Sequence, residues 1–537
     1  MTFLEDILAK NTIYSADFKS LLIRDYGKDY SYLNKKITLI DQLLHHHKKE
    51  HGNENILLVR SPGRVNLMGR HIDHQGGCVN VIAIDKEIFV CASLRTDSKI
   101  TASNVDQGEF KVFEFDPFEH QINFSESWDH FLKSTDLQTK LRSPKGSWIN
   151  YFKAAMYRLM FEFIPKHIKG CNFSVRGNIP IAAGLSSSSA LLVAIFKALL
   201  EFNNISFSKQ KVLELSSEAE WFVGTRGGAS DHAAILFGRK NKILHIKFFE
   251  FQIEKELEYP KDWALLICNS HITADKSGKK RSIFNERIFS YTVGLDLFKK
   301  VFPRFYDKIE FLRDINSENL NISESEILDL ILEIPEYLTF SELRNELPSK
   351  LQEYERIFNI KDFKFPIPIR KVLIYGISEC KRSKNFTHLL REIMANQYLN
   401  PCHKFQPIKR YMQISHDGDR KVVYDSQLYP SEFQNDFNDE TIKSYIQENK
   451  PLEMIPGGYE CSLPELDFIV DIVANNKHVY AAQLSGGGLG GCDMVIADKR
   501  YKESIAKEIS ELYEKKFLKK CTIYSLKPVN GLSVYFK

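Results

Sequence analysis

Four consecutive serines stand in a loop of small residues at positions 180–190. The loop reads Pro-Ile-Ala-Ala-Gly-Leu-Ser-Ser-Ser-Ser-Ala, and a strongly apolar helix is predicted from about residue 187 to residue 200. Small side chains let the backbone approach a ligand, and a helix start offers free N–H groups and the positive end of the helix dipole. The loop lacks the Gly-Lys-Ser/Thr of a Walker motif. Because a helix cap needs only one serine, the pattern predicts a polyphosphate-binding loop with a hydroxyl for Mg²⁺.

A second loop, at 61–77, brings two arginines, two histidines and an aspartate together among glycines. A carboxylate such as Asp73 can accept two hydrogen bonds, which suits vicinal hydroxyl groups, and His71 and Arg70 stand beside it. Loops carry binding groups more often than cores do. The composition alone is equally compatible with an exposed polar turn.

A third segment, at 218–232, joins the end of a predicted helix to a glycine turn that delivers Asp231. Such an aspartate could orient or deprotonate a hydroxyl that attacks a phosphoryl group, and a glutamate on the preceding helix could hold the metal. The alternative is an ordinary helix stop in which Asp231 caps the next helix. The spacing favours the chemical interpretation.

A fourth loop, at 484–492, contains five glycines between two apolar, strand-like runs. Each glycine costs roughly 0.5–1 kcal/mol relative to alanine in a regular element. That cost predicts positive φ angles, or close packing of the backbone against a ligand or another loop, rather than a flexible linker.

The composition describes an ordinary globular protein. A length of 537 residues indicates two or three domains, and a net charge of +4 gives no reason to expect nucleic acid as a partner. The nine cysteines contain no C-x-x-C pair, which favours a reducing compartment. No signal peptide and no membrane-spanning run are predicted. We therefore expect a cytoplasmic protein that does not contact membranes, either a monomer or a weak homo-oligomer.

The predicted elements place these loops in a mixed α and β chain. Residues 1–55 are predicted to form a helical leader, on which the adjacent histidines at 45–47 lie on a solvated face. Residues 56–250 form the predicted amino-terminal lobe, and residues 251–537 form the carboxy-terminal lobe with a helical elaboration at about 300–370. Strands and helices alternate on either side of the four loops.

Three motifs in order, at 62–77, 180–190 and 485–492, resemble those of the GHMP kinase superfamily and, within it, the galactokinases. The resemblance implies an α+β, two-lobed fold. The amino-terminal lobe would be ribosomal-protein-like and the carboxy-terminal lobe ferredoxin-like, with the nucleotide and the sugar between them. It also implies ATP as phosphoryl donor, Mg²⁺ as cofactor and a monosaccharide as acceptor.

Carried over by position, the resemblance implies the role of each site residue. Asp231 would be the catalytic aspartate, stabilised by Arg64, although His232 stands where galactokinases have Gln. Substrate contacts would come from Arg70, His71 and Asp73. The ATP phosphates would lie against a run of six residues: Gly184, Leu185, Ser186, Ser187, Ser188 and Ser189. The metal ligands would be Ser188 and Glu220, the latter one residue from the usual family position at Ala219.

The resemblance thus predicts an ATP-dependent sugar kinase that phosphorylates the anomeric hydroxyl of galactose or a related sugar. Galactokinases usually have Glu at the position of Arg70, near C6 of the sugar. A guanidinium would favour a carboxylate there, so galacturonate is an alternative substrate. An alternative of another class is a non-catalytic sugar sensor, which the intact serine loop and Asp231 disfavour.

Overall fold

A computed structural model describes residues 2–106, 108, 110–134, 137–144, 146–163, 168–224, 226–273, 279–358, 360–396, 401–421 and 437–536. The strands are β1 (Thr2–Phe3), β2 (Asn55–Met68), β3 (Val79–Leu94), β4 (Ile100–Asn104), β5 (Phe113–Phe115), β6 (Cys171–Gly177), β7 (Lys242–Lys247), β8 (Gln252–Glu258), β9 (Trp263–Asn269), β10 (Tyr337–Leu338), β11 (Ile367–Pro368), β12 (Val479–Ser485), β13 (Cys492–Asp498), β14 (Thr522–Leu526) and β15 (Ser533–Phe536). Helices and strands are both abundant, so the predicted α+β class is confirmed.

The α-helices are α1 (Leu4–Ala9), α2 (Ala16–Tyr26), α3 (Tyr30–His51), α4 (Trp128–Phe131), α5 (Ile149–Glu162), α6 (Ser187–Phe202), α7 (Lys209–Glu220), α8 (Ser230–Phe237), α9 (Lys279–Val301), α10 (Ser317–Leu320), α11 (Glu324–Leu332), α12 (Phe340–Glu346), α13 (Leu351–Ile357), α14 (Arg370–Ala395), α15 (Pro401–Lys404), α16 (Gln406–Asp417), α17 (Asp439–Gln447), α18 (Pro464–Ala474) and α19 (Lys502–Phe517). Short 3₁₀ helices include Asp73–Gln75, Trp221–Val223 and Leu312–Asp314.

The larger sheet is built on the long antiparallel strands β2 and β3. Its order is β1-β2-β3-β6-β4-β5, while β15 pairs with β2 and the β7–β8 hairpin pairs with the start of β3. Strands β2 and β3 are buried along almost their whole lengths. Apolar side chains of β2 and β3 join two cores, one shared with α6 and one with α3. Because the sheet is covered on both faces, even polar residues of these strands, such as Arg60 and Arg64, are buried.

The smaller sheet has the order β12-β13-β9-β14, with every neighbouring pair antiparallel. Along the chain its parts follow as β9, α18, β12, β13, α19 and β14, which is a β-α-β-β-α-β unit. The first and third strands lie at the centre. This is the ferredoxin-like arrangement predicted for the carboxy-terminal lobe, and helices α18 and α19 share its core.

A large helical insertion separates β9 from α18. It includes α9–α14 and α17, and it has an apolar core of its own. The elaboration predicted at 300–370 is helical as expected, but the insertion begins earlier, at α9, and continues past α14. It lies against the loop at 69–77 through Arg313, which donates to Gly76 O and Phe248 O at 3.0 and 2.6 Å.

The boundary predicted between residues 250 and 251 divides a hairpin and requires correction. Strands β7 and β8 pair with each other, so β8 belongs to the larger sheet and the chain leaves that sheet only after Glu258. The chain also returns at its end, where β15 pairs with β2. Strand β8 largely alternates polar and apolar residues, and this pattern predicts a strand but not the sheet that it joins.

The leader is helical, as predicted, but α1–α3 pack on the larger sheet through a shared core. The prediction of a solvated face at 45–47 is wrong for His47. This ring is fully buried and lies between Ser174 Oγ at 2.9 Å and Ser93 Oγ at 3.1 Å. Three adjacent helical residues point in different directions, so one of them faces the sheet.

Among the described residues, no helix is both long enough and apolar enough to cross a membrane.

Candidate active site

The serine loop docks directly on β2. A Cβ at Gly63 would lie 2.7 Å from Leu185 O, and the Arg64 N–H donates to that carbonyl at 3.3 Å. The Leu185 side chain is buried in the core that β2 and β3 share with α6, so this residue meets β2 through its backbone carbonyl. Strand β2 therefore fixes the position of the loop that leads into α6.

Arg64, Ser186 and Asp231 form the centre of the site. Arg64 Nε donates to Asp231 Oδ1 at 2.5 Å, and Arg64 Nη1 donates to Gly184 O at 2.7 Å. The Ser186 hydroxyl donates to Asp231 Oδ2 at 2.5 Å. Arg64 is almost fully buried while the Asp231 carboxylate remains 20% exposed. The arrangement presents one oriented carboxylate beside the serine loop.

The backbone of Ser186 is held in an unusual conformation. Its φ of +63° is left-handed, although it is not glycine, and its side chain does not cap α6. Such strain costs of order 1–3 kcal/mol and is concentrated at functional sites. The conformation directs the hydroxyl to Asp231, while Ser187 begins the helix.

Asp231 does not cap a helix, contrary to the alternative considered from the sequence. It lies in the first turn of α8, and the residue before it, Ser230, donates its N–H to Asp73 Oδ2 at 3.0 Å. Asp73 thus caps α8 from the other loop. A Cβ at Gly228 would overlap the Asp73 carboxylate, which explains the glycine. The two carboxylates are held at adjacent positions of one helix start.

Asp73 is a buried but ionised carboxylate. Burial alone would raise its pKa, but hydrogen bonds from His74 and Ser230 outweigh burial and hold the pKa of Asp73 below its usual range. His74 Nδ1 lies 3.4 Å from Asp73 Oδ1. Since a carboxylate offers about four lone pairs, Asp73 retains acceptor capacity for ligand hydroxyls.

Glu220 is the glutamate that faces the serine loop. It accepts hydrogen bonds from Ser188 Oγ at 2.9 Å and from Ser189 Oγ at 3.1 Å. Ala219 is buried in the core, and Glu218 is paired with Arg158 at 2.7 Å. Of these three residues, Glu220 is therefore the one whose carboxylate is placed to hold a metal beside the serine loop.

This hydroxyl and carboxylate set fits Mg²⁺, which prefers oxygen ligands and keeps several waters. The His232 ring, which follows Asp231, lies behind the set, with Nε2 at 3.5 Å from Glu220 Oε2. Burial first, with help from Arg64, lowers the pKa of His232.

The glycine-rich loop packs against the serine loop, as its composition predicts. A Cβ at Gly184 would lie 2.6 Å from Ser485 O, and one at Gly486 would lie 2.5 Å from Gly184 O. Both residues have positive φ, of +75° and +78°. Gly491, also at positive φ, lies against Ala183. The two lobes are therefore in backbone contact at the site.

Arg70 lies in a buried polar cluster that the sequence does not reveal. Its Nη2 donates to Asp419 Oδ2 at 2.7 Å and its Nη1 to Leu484 O at 2.5 Å. Its backbone N–H donates to Glu379 Oε1 at 3.2 Å. Asp419 and Glu379 stand 349 and 309 residues away in the chain, so spacing carries no signal for them.

His71 extends this cluster on the side of the aromatic residues. Its ring stacks on Tyr459 with centroids 4.1 Å apart, and its Nε2 lies 3.4 Å from Asp419 Oδ1. Tyr375 and Phe284 lie at 6.0 and 6.2 Å from the same ring. These rings form a wall beside the loop that carries Asp73.

Comparison with known families is consistent with this geometry. Residues 150–239 match the model described as GHMP kinases N terminal domain, and residues 436–515 match GHMP kinases C terminal. Residues 45–94 match the galactokinase galactose-binding signature. The first match includes the serine loop, Glu220 and Asp231, and the signature includes Arg64 and the loop at 69–77.

Individual relatives extend over most of the chain. The galactokinase of Schizosaccharomyces pombe is 24% identical over 511 residues, which cover 86% of this chain and 87% of the relative. The galactokinase of Dictyostelium discoideum is 23% identical over 474 residues, covering 87% and 86%. The crystal structure of Lactococcus lactis galactokinase complexed with galactose superposes with a TM-score of 0.62 at 18% identity, covering 92% of this chain and 99% of that one.

The fold and these matches define a class: the chain matches the N-terminal and C-terminal domain models of the GHMP kinases and has the two-lobed fold of that superfamily. Within the superfamily it is galactokinase-like, and it is an ATP-dependent sugar kinase.

Proposed function

We propose that this chain transfers the γ-phosphoryl group of ATP to the anomeric hydroxyl of galactose. The observation that carries the proposal is the placement of Asp231 between Arg64 and Ser186, one residue from the Ser230 N–H that binds Asp73. A base beside a phosphate loop and a second carboxylate for sugar hydroxyls are the two parts that a sugar kinase needs. The similarity to galactokinases supports the choice of sugar.

In the proposed reaction Asp231 orients the sugar hydroxyl and accepts its proton as the new O–P bond forms. The bond between the γ-phosphorus and the bridging oxygen breaks, and ADP leaves. Arg64 fixes the direction of the carboxylate and adds positive charge near the transferring group. The backbone of residues 184–189 receives the phosphates at the start of α6. Positioning and electrostatics supply most of the acceleration.

Mg²⁺ would be held by Ser188 and Glu220, which already share a hydrogen bond. When bound, the ion neutralises charge on the phosphates. Asp73, His71 and the loop at 69–77 would bind the sugar. Asp73 is ionised and buried, so hydroxyl groups that reach it gain charge-assisted hydrogen bonds.

We infer a neutral sugar rather than galacturonate because the charge of Arg70 is already balanced. Its guanidinium faces Asp419 at 2.7 Å, and both groups are buried. A sugar carboxylate would have to compete with Asp419 for the same donors. The Arg70 side chain therefore gives no net attraction for an anion.

A panel of monosaccharides and uronic acids, assayed for ADP release with Mg-ATP, tests the substrate. We expect galactose to be phosphorylated at C1, as shown by ³¹P NMR of the product, and galacturonate to have a kcat/KM at least about tenfold lower, equivalent to about 1.4 kcal/mol. Turnover with galacturonate alone would refute the charge argument. No turnover with any sugar would favour a non-catalytic sensor.

The variant Asp231→Asn tests the catalytic assignment. We expect kcat to fall by about 10²–10⁴, because the amide cannot accept the proton, while the affinity for an ATP analogue stays within about threefold. Asp129→Asn is the matched control, since that carboxylate is 50% exposed and its ion pair is with Arg226. Unchanged turnover in Asp231→Asn would contradict the mechanism.

A further inference from the structure

Three potential metal ligands meet on the larger sheet, apart from the site described above. One ligand atom each from Cys78, His245 and Glu254 lies within 4.8 Å of the other two. Cys78 immediately precedes β3, at the base of the loop at 69–77, while His245 is on β7 and Glu254 on β8. His245 is buried, Cys78 is half-buried and Glu254 is exposed. The cluster thus opens to solvent on one side.

Strand register explains why the three side chains converge. Asn80 of β3 pairs with His245, and Cys78 lies two residues before Asn80 and therefore points to the same face. On the other side of β7, the register shifts between His245 and Ile246, so that Glu254 is the extra residue of a β-bulge. A bulge redirects a side chain that regular pairing would place elsewhere.

The hydrogen bonds of Asn80 determine which nitrogen of His245 carries the proton. Ser383 Oγ donates to Cys78 O at 2.5 Å, so it accepts from Asn80 Nδ2 at 2.9 Å. With Nδ2 committed as donor, Asn80 Oδ1 faces His245 Nδ1 at 2.9 Å and must accept its proton. The other ring nitrogen, Nε2, is left with its lone pair.

That lone pair points at another acceptor. His245 Nε2 lies 3.5 Å from Glu254 Oε2, with the Cys78 sulfur close to both. Two acceptors that face each other repel unless a cation lies between them. A hydrogen bond from the far ring nitrogen to an amide oxygen is also the usual way in which a metal-binding histidine is oriented.

The ammonium group of Lys255, the next residue of β8, does not supply this cation. Lys255 is directed to Thr387 Oγ1, to which it donates at 3.0 Å. Metal binding would displace the proton of the Cys78 thiol, so that its sulfur binds as a thiolate.

We propose that Cys78, His245 and Glu254 form a zinc site. Thiolate sulfur, imidazole nitrogen and carboxylate oxygen are ligands that Zn²⁺ accepts together, whereas Mg²⁺ prefers oxygen alone. Three protein ligands leave a fourth position for water on the open side. The ion would join the start of β3, and with it the base of the loop at 69–77, to the β7–β8 hairpin.

Zinc binding to the full chain tests the proposal without nucleotide or sugar, so its result is independent of the kinase activity. Chelator-treated protein is titrated with Zn²⁺ in excess Mg²⁺, which occupies the oxygen ligands Ser188 and Glu220. We expect one tightly bound Zn²⁺ per chain, a higher melting temperature, and a thiolate charge-transfer band when Co²⁺ replaces Zn²⁺. Cys78→Ser should abolish the band and weaken binding by at least about tenfold.

Two variants keep the outcome decisive. Glu254→Gln alters an exposed side chain while keeping its size, and it should also weaken Zn²⁺ binding by about tenfold or more. Cys380→Ser is the matched control, because that cysteine is close to Gly77 but is not one of the three ligands. It should bind Zn²⁺ like the wild type. Equal Zn²⁺ affinity in wild type, Cys78→Ser and Glu254→Gln would overturn the proposal.

Discussion

Among single residues, Arg70 shows how a buried charge in the loop at 69–77 is neutralised by groups far away in the chain. Its guanidinium pairs with Asp419, and its backbone N–H is bound by Glu379, which also accepts from Gly69 N–H at 2.9 Å. The pKa of Asp419 is held below its usual range because Arg70 and His71 outweigh the effect of burial. The turn at residues 69–71 is thus fixed by carboxylates of the helical insertion.

Removing Asp419 should destabilise the protein strongly. The variant Asp419→Ala leaves Arg70 buried without its ion partner, and we expect the free energy of unfolding to fall by about 3–5 kcal/mol. Denaturant unfolding measures the change. Asp97→Ala is the control, since its pair with Arg95 has a carboxylate that is 44% exposed, and it should cost at most about 1 kcal/mol.

A second pair of substitutions separates the ion pair from packing. Arg70→Met combined with Asp419→Leu removes both buried charges, and it should recover most of the lost stability. If Asp419→Ala were as mild as Asp97→Ala, the pair would not be a structural link between the lobes.

At the scale of elements, the helical insertion packs behind the loop at 69–77. Arg313, in the 3₁₀ helix Leu312–Asp314, donates to the carbonyls of Gly76 and Phe248, and the Phe311 ring stacks on Phe249 with centroids 4.1 Å apart. The loop's own 3₁₀ turn, Asp73–Gln75, directly precedes Gly76. The insertion therefore acts on the residue that we propose binds the sugar.

We expect Arg313→Ala to raise the KM for the sugar by about tenfold, because losing hydrogen bonds from a charged donor costs about 1.5 kcal/mol or more. The KM for ATP should change little, since the serine loop contacts β2 at Gly63 and Arg64, whereas the loop at 69–77 follows the end of β2. Steady-state kinetics with each substrate varied in turn measures both. Arg344→Ala, an exposed arginine on α12, should match the wild type. A parallel change in both KM values would indicate a general loss of folding instead.

Helix α3 is attached to the larger sheet through a buried histidine. Burial lowers the pKa of His47 well below that of a free histidine, with His51 and His46 acting in the same direction. The unfolded chain has a pKa of about 6.5 at this residue. Below that pH the unfolded state takes up a proton that the native state does not, so stability falls as pH falls.

His47→Gln should therefore reduce the loss of stability between pH 6.5 and pH 5. The wild-type free energy of unfolding should decrease by up to about 1.4 kcal/mol per pH unit more steeply than that of the variant. Denaturant unfolding over this range measures the slope. His45→Gln alters a ring that is 63% exposed and should retain the wild-type slope. Identical slopes in His47→Gln and wild type would show that His47 is not held neutral.

At the scale of the whole molecule, the last strand joins the sheet of the amino-terminal lobe. Strand β15 pairs with β2, and the fully buried Arg60 donates to Asn530 O and Gly531 O at 3.0 Å each. Arg60 also pairs with Glu87, which binds Lys36 of the leader helix α3. The leader, the larger sheet and the last strand therefore share one buried polar network.

A chain that ends at residue 527 should lose stability for this reason. Arg60 would be left buried without two of its acceptors, and the apolar contacts of Val529 and Phe536 would be lost. We expect a loss of roughly 3 kcal/mol or more, and a lower melting temperature in calorimetry. A melting temperature equal to that of the full chain would show that the larger sheet folds without β15.

The sequence by itself predicted the class of protein and much of the local structure. The glycines and serines at 180–190 and the glycines at 484–492 predict close approach of the backbone, and the two loops are in contact. Apolar periodicity placed α6 and the strands around it. The motif order indicated the superfamily and its α+β fold, which the comparisons confirm. These features are local, since they depend on residue types a few positions apart.

Only the tertiary structure decided which distant groups meet. Asp419 and Glu379 reach Arg70 across more than three hundred residues, Asp73 caps the helix of Asp231, and a strand at the end of the chain joins a sheet formed near its beginning. The predicted exposure of His47 was wrong for the same reason, whereas the boundary at residue 250 was wrong because a strand pattern does not identify its partner strand. Burial and ion pairing depend on three-dimensional contacts, and no spacing along a single chain encodes them.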